Sequence, residues 1–231
     1  MKRFQSLCML LVLAATATCQ SHPVTDQSPG IPAQDAVTNA DPLAKAFATR
    51  STQPITQAPT TAITQIPKSF SKYASESVGN GKRCIVGAVT DADGMNERAV
   101  VHLDDATDTR PTWVHRLNLP PHTYQSRATH CTYSGHSLYV LLQSDTQPEQ
   151  TLSQTILSVA KLDPATGTVQ IQRNIQVPGA FSAWVDWGPD HFQGKGDALI
   201  VSGNNRPQSS PDQPTTFIVH VNSHLVSVKE D

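Results

Sequence analysis

Tyr133-Ser-Gly-His-Ser-Leu138-Tyr-Val-Leu-Leu-Gln-Ser144 decides the fold. A glycine turn at Gly135 leads into the apolar run Leu138 to Leu142, and polar residues close it. A run this short, bounded by turn residues, fits a strand. A polar loop follows, and Thr155-Ile-Leu-Ser-Val-Ala160 reads as the next strand. The whole unit then echoes. Phe192-Gln-Gly194-Lys-Gly-Asp-Ala-Leu199-Ile-Val-Ser-Gly203 again leads through a polar loop to Thr216-Phe-Ile-Val-His-Val221. Leu138 stands as far from Ile156 as Leu199 does from Phe217. Ala99 to Leu103 and Thr112 to Leu117 form a weaker third unit. Repeats of strand, polar excursion and strand point to stacked or radially arranged sheets.

Working outward, the remaining apolar runs are also short and bounded by turns. Candidate strands are Cys84 to Thr90, Thr168 to Ile175 and Leu225 to Lys229, beside those just named. Turn chemistry separates them at Asp93-Gly94, Pro178-Gly179, Gly188-Pro189 and Gly203-Asn204-Asn205. No run holds helical spacing over two turns. The expected class is all-β, built as propeller-like repeats or as a β-sandwich.

Lys161-Leu-Asp163-Pro164-Ala-Thr166-Gly167-Thr-Val169 resembles the outer hairpin of many bacterial β-propeller blades, where an Asp-Pro-x-Thr-Gly turn joins two strands. Pro164 presets φ at the turn's second position, and Gly167 supplies positive φ before the returning strand. Propellers usually close with four or more blades. About three units are legible here, so closure by further chain, by a second subunit or as a sandwich stays open.

Before the domain lie two segments of other character. Met1-Lys2-Arg3 and the apolar stretch Leu7 to Ala17 have the charge and length of a secretory leader, and Ala15-Thr16-Ala17 fits its cleavage site. Residues 1–18 are therefore expected to be a signal peptide. Thr16-Ala17-Thr18-Cys19 also resembles the box of a bacterial lipoprotein signal, whose cysteine becomes the lipidated first residue. It departs from that box at Thr16, where Leu is usual, and at Thr18, where Gly or Ala is usual. The resemblance implies a lipid on Cys19 and, with Gln20 next, an outer-membrane address. Residues 19–80 are rich in Pro, Thr, Gln, Ser and Ala, with Ile55-Thr-Gln-Ala-Pro59 nearly repeated at Ile63-Thr-Gln-Ile-Pro67. Such a segment buries too little apolar surface to offset its ordering entropy, so it is expected to be a tether. The all-β domain is expected over 81–231.

Charge and motifs exclude several classes. The net charge of -2 carries no basic excess for a nucleic-acid partner. No later apolar run reaches the length of a membrane span, so membrane attachment is expected only through a lipid anchor. Gly-x-Ser-x-Gly, His-Glu-x-x-His, phosphate-loop and dinucleotide patterns are absent from the sequence, and no cofactor is expected.

Four groups remain as candidates. Cys84 and Cys131 would be left as an even pair if Cys19 carries lipid, and in an oxidising compartment they are expected to form a disulfide. Asp91, Asp93, Asn96 and Glu97 place oxygen ligands around Gly94 and could hold Ca²⁺, though the spacing misses the EF-hand register and an Asp-Gly hairpin explains it as well. Of the nine histidines, His115, His122, His130 and His136 fall close together, without a carboxylate at ligand spacing. Trp184-Val-Asp186-Trp187 is the richest aromatic cluster. Exposed, it would suit sugar or peptide contact; buried, it would anchor two sheets.

These readings favour a non-catalytic protein, exported to the periplasm or outer membrane or else secreted, that binds a protein or glycan partner in the cell envelope. An inhibitor or immunity lipoprotein is its sharper form. The alternatives are a propeller-type hydrolase or lyase using residues such as His136, Asp145 and Asp186, and a structural envelope component.

Overall fold

The structure, a computed structural model, describes residues 61–105, 110–146, 153–196 and 198–228. The expected leader, Cys19 and the expected tether up to residue 60 lie outside them. The described residues are all-β, in three antiparallel sheets with no α-helix.

The first sheet contains β1 (Thr61–Ile63), β2 (Phe70–Gly79), β3 (Lys82–Val89), β4 (Arg98–Asp105) and β5 (Pro111–Arg116), in the order β1-β5-β4-β3-β2. The second is a plain meander of β6 (Thr123–Ser134), β7 (Ser137–Thr146), β8 (Thr155–Leu162) and β9 (Val169–Asn174). The third runs β10-β12-β13-β14, from β10 (Ala180–Trp184), β12 (Ala198–Pro207), β13 (Thr215–Asn222) and β14 (Ser227–Val228). There β11 (Phe192–Lys195) pairs with β12, on a stretch that β10 leaves free.

β7 explains the layering. All ten of its residues are buried. Leu138, Val140 and Leu142 point into one core with Val86, Val101 and Leu103 of the first sheet. Tyr139 and Leu141 point into a second core with Leu199, Val201 and Val221 of the third. Strand alternation sends neighbouring side chains to opposite faces, so an unbroken apolar run is what a strand covered on both faces requires. Each fully buried Leu contributes roughly 1.5–3 kcal/mol.

The sequence echo has a structural counterpart. Tyr133 pairs with Leu138 and Ser134 with Ser137, and Gly194 with Leu199 and Lys195 with Ala198 in the same register. The returning strand of the later unit is displaced by two residues, which leaves every side chain on its face. The Asp-Pro-x-Thr-Gly turn closes β8–β9 through Gly167 N–H to the Asp163 carbonyl at 2.8 Å, with Gly167 at φ 71°. Asp163 Oδ1 accepts from Ala165 N–H at 2.7 Å.

Five strands depart from expectation. Within the span expected to be tether, Thr61–Ile63 and Phe70–Gly79 form β1 and β2. β2 is an edge strand, largely solvent-facing, so its polar composition needs no covering core on that face. β6, β10 and β11 also form where the sequence shows no apolar strand run. β6 reads Thr-Tyr-Gln-Ser-Arg-Ala-Thr-His-Cys-Thr-Tyr-Ser, too polar to register as a buried strand.

Candidate functional site

Three pieces of backbone converge where the sheets meet: 73–76 of β2, 129–132 of β6, and the segment 187–194 that ends in β11. They enclose a cleft of about 550 Å³. A smaller cavity of about 290 Å³ shares Thr129, His130 and Trp187 with it.

β-bulges shape the walls. The register of β2 on β3 shifts between Lys72 and Ala74, making Tyr73 the extra residue. The register of β6 on β7 shifts between Ala128 and His130, making Thr129 the extra residue. Without that bulge His130 would share the face of Ala128 and point into the first core. With it, Ala128 and Cys131 stay in that core while His130 turns to the other side.

A polar network backs the cleft. Arg127 Nη1 donates to Glu97 Oε2 and to Asp145 Oδ2, each at 3.1 Å. Tyr73 Oη donates to Glu97 Oε1. Asp145 also accepts from Gln125 Nε2 at 2.7 Å and from Thr155 Oγ1 at 2.8 Å. Burial pushes the Tyr73 hydroxyl up to about 12, and the Glu97 carboxylate adds to the effect. Burial alone would lower Arg127, but Asp145 and Glu97 hold it above its ordinary value.

Gln143 fixes the opposite wall. From β7 its Nε2 donates to the Val185 carbonyl at 2.9 Å, and its Oε1 accepts from Val185 N–H at 3.2 Å. The side-chain amide thus pairs with backbone as a neighbouring strand would. Just beyond that clamp the chain turns outward. Trp187 is 66% exposed, and its ring meets Tyr73 edge-on at 5.1 Å.

His130 is only 4% exposed and lines both cavities. Nδ1 contacts Thr129 Oγ1 at 3.0 Å, while Nε2 has no hydrogen-bond partner. Burial lowers its pKa. The backbone of Gly188 and Asp186 offsets part of that effect, without closing a hydrogen bond to Nε2.

The aromatic cluster divides between the two readings. Trp187 is at the cleft rim. Trp184 is half-buried under the Arg206 guanidinium, 6.0 Å away, and Asp186 accepts from Asn204 Nδ2 at 2.6 Å. Simple alternation would put Val185 and Trp187 on one face, but β10 ends at Trp184, so Val185 is buried while Trp187 is not.

The Asp91 to Glu97 stretch forms a turn whose side chains pair within the protein. Asn96 Nδ2 donates to Asp91 Oδ2 at 2.8 Å, Asp93 Oδ1 accepts from Met95 N–H at 3.1 Å, and Glu97 is committed to Tyr73 and Arg127. Among the described residues no three His, Cys, Asp or Glu side chains gather as metal ligands. The histidines disperse as well: His115 contacts the Thr166 carbonyl at 3.0 Å, and His122 and His136 lie at positive-φ positions.

Cys84 and Cys131 are free thiols, so the expected disulfide is not formed. Both are buried side by side, and Cys131 Sγ donates to the Cys84 carbonyl at 3.5 Å. Burial, then the Cys131 thiol, holds Cys84 well above its ordinary pKa. His136 and Asp145 flank opposite ends of β7, roughly 30 Å apart at about 3.3 Å per residue, so with Asp186 they form no single constellation.

No protein-family model matches the chain, and comparison with curated proteins returned no match.

Proposed function

We propose that this is an exported, non-catalytic binding protein of a bacterial envelope, whose all-β domain offers the Trp187 cleft to a protein or glycan partner. The exposure of Trp187 carries this reading. A large aromatic ring left 66% open beside a cleft of about 550 Å³ costs hydrophobic burial, and binding sites are where such rings recur. The Gln143 clamp and the Tyr73 contact support it, because a preset ring loses little entropy on binding.

The charged leader and Ala15-Thr16-Ala17 support export, with Cys19 as lipid anchor or cleavage after Ala17 as the two forms. Three successive antiparallel sheets and the Asp-Pro-x-Thr-Gly hairpin support a propeller-like arrangement. An inhibitor or immunity lipoprotein acting on an envelope enzyme is the specific form we favour over a hydrolase or lyase, given the separation of His136 from Asp145.

Affinity capture from envelope extract tests this, with wild type and Trp187→Ala run side by side. A partner retained by the wild type and lost from the variant is expected. Identical captures from both, together with turnover of a glycan or ester panel, would reverse the order of readings.

A further inference from the structure

The walls of the larger cleft carry one sign of charge. Glu76 of β2 and Asp190 of the 187–194 segment both line it, and no Lys or Arg does. Neither carboxylate is in a salt bridge; Asp190 only accepts from Gln193 Nε2 at 3.4 Å. Aromatic rings flank them: Trp187 and Tyr73 at the rim, Phe192 deeper. Aromatic faces beside carboxylates form the environment that holds an ammonium or guanidinium, through the ring quadrupole and direct charge pairing.

His130 supplies an independent observation. It is almost wholly buried, and its Nε2 lacks a partner. A buried polar nitrogen left unmet marks a place where a ligand atom would be welcome. Nδ1 lies 3.0 Å from Thr129 Oγ1, which leaves Nε2 as the ring atom open to a polar group of a ligand.

We infer that the cleft between β2, β6 and β11 takes a cationic group, the Lys or Arg side chain of a protein partner, between Glu76 and Asp190 and against Trp187. This rests on the binding reading above and commits it to a protein ligand of basic character.

The probe is an N-acetylated, C-amidated tri-lysine peptide, titrated into the wild-type domain by calorimetry. Its Nε-acetylated form and neutral chitotriose serve as controls. Glu76→Gln and Asp190→Asn are each expected to weaken tri-lysine binding about three-fold, and about ten-fold together. Trp187→Ala is expected to weaken it about five-fold. Thermal melts confirm that each variant folds. The acetylated peptide is expected not to bind, and added salt is expected to weaken the wild-type interaction. Binding indifferent to Glu76 and Asp190, equal binding of the acetylated peptide, or no Trp187-dependent binding of tri-lysine overturns the inference. Trp187-dependent binding of chitotriose in place of tri-lysine would overturn it while leaving the binding reading intact. That reading falls separately, if wild type and Trp187→Ala capture the same envelope proteins.

Discussion

Trp187 stands edge-on against Tyr73, ring centroids 5.1 Å apart and planes at 78°, so that the third sheet's loop and the first sheet's edge strand touch across the cleft. Each residue comes to this contact through a local irregularity. Tyr73 is the extra residue of a bulge, and Trp187 follows the end of β10. Bulges re-aim side chains out of the regular pleat, which is how they serve sites.

The loop that carries Trp187 depends on Gln143. Gln143→Met keeps the volume but strands the Val185 N–H and carbonyl. A loss of about 1–3 kcal/mol in chemical denaturation is expected, with Trp187 emission altered in the folded state. Unchanged stability would mean the clamp is dispensable.

Much of the fold was legible in sequence, and the site was not. β7 and β8 announce themselves because they bury apolar runs against neighbouring layers, and β13 because Phe217, Val219 and Val221 alternate onto its buried face. β6 is silent, because its buried positions include Ser126, Thr129 and His130, satisfied or left open by partners distant in sequence. The bulge that turns His130 toward the cleft has no local signature in Ala128-Thr129-His130. Trp187 could be flagged as an aromatic, but its exposure depends on Gln143, 42 or more residues away. The sequence around Asp91 to Glu97 is equally silent about the pairing of Glu97 with Tyr73 and Arg127.

Gly194 packs against Ser134, and a Cβ at 194 would collide with the serine Cβ and Oγ. Ser134 Oγ also donates to the Gly196 carbonyl at 2.8 Å. Gly194→Ala is expected to cost about 1–3 kcal/mol, and Ser134→Gly in the same chain to recover part of it. Additive losses in thermal melts would contradict the close approach.

The two cysteines should be inert in the native state. Both are buried, and Cys84 is held well above its ordinary pKa, so little thiolate is available. A colorimetric thiol reagent should react slowly with the folded 61–231 domain and rapidly with both thiols once it is unfolded. No reaction after unfolding without reductant would show a disulfide.

Acid should weaken the fold before the carboxylates titrate. Burial lowers His102 and His130 below their ordinary 6.5, although Asp104 opposes the shift at His102. The unfolded chain therefore takes up protons first as pH falls. The stability these residues contribute is full above about 6.5 and is lost as pH drops from there toward their folded values. Melting temperature should fall between about pH 7.5 and 5.5, less so in His130→Gln. A flat profile would mean that neither imidazole is held neutral.

The openness of the cleft wall is tested most directly by acrylamide quenching of Trp187 alone, in a chain carrying Trp113→Phe and Trp184→Phe. Red-shifted emission, quenched almost as efficiently as free tryptophan, is the expected result for a ring 66% exposed. Blue-shifted emission with strong protection from acrylamide would mean that Trp187 is buried between sheets, and the cleft would lose its binding wall.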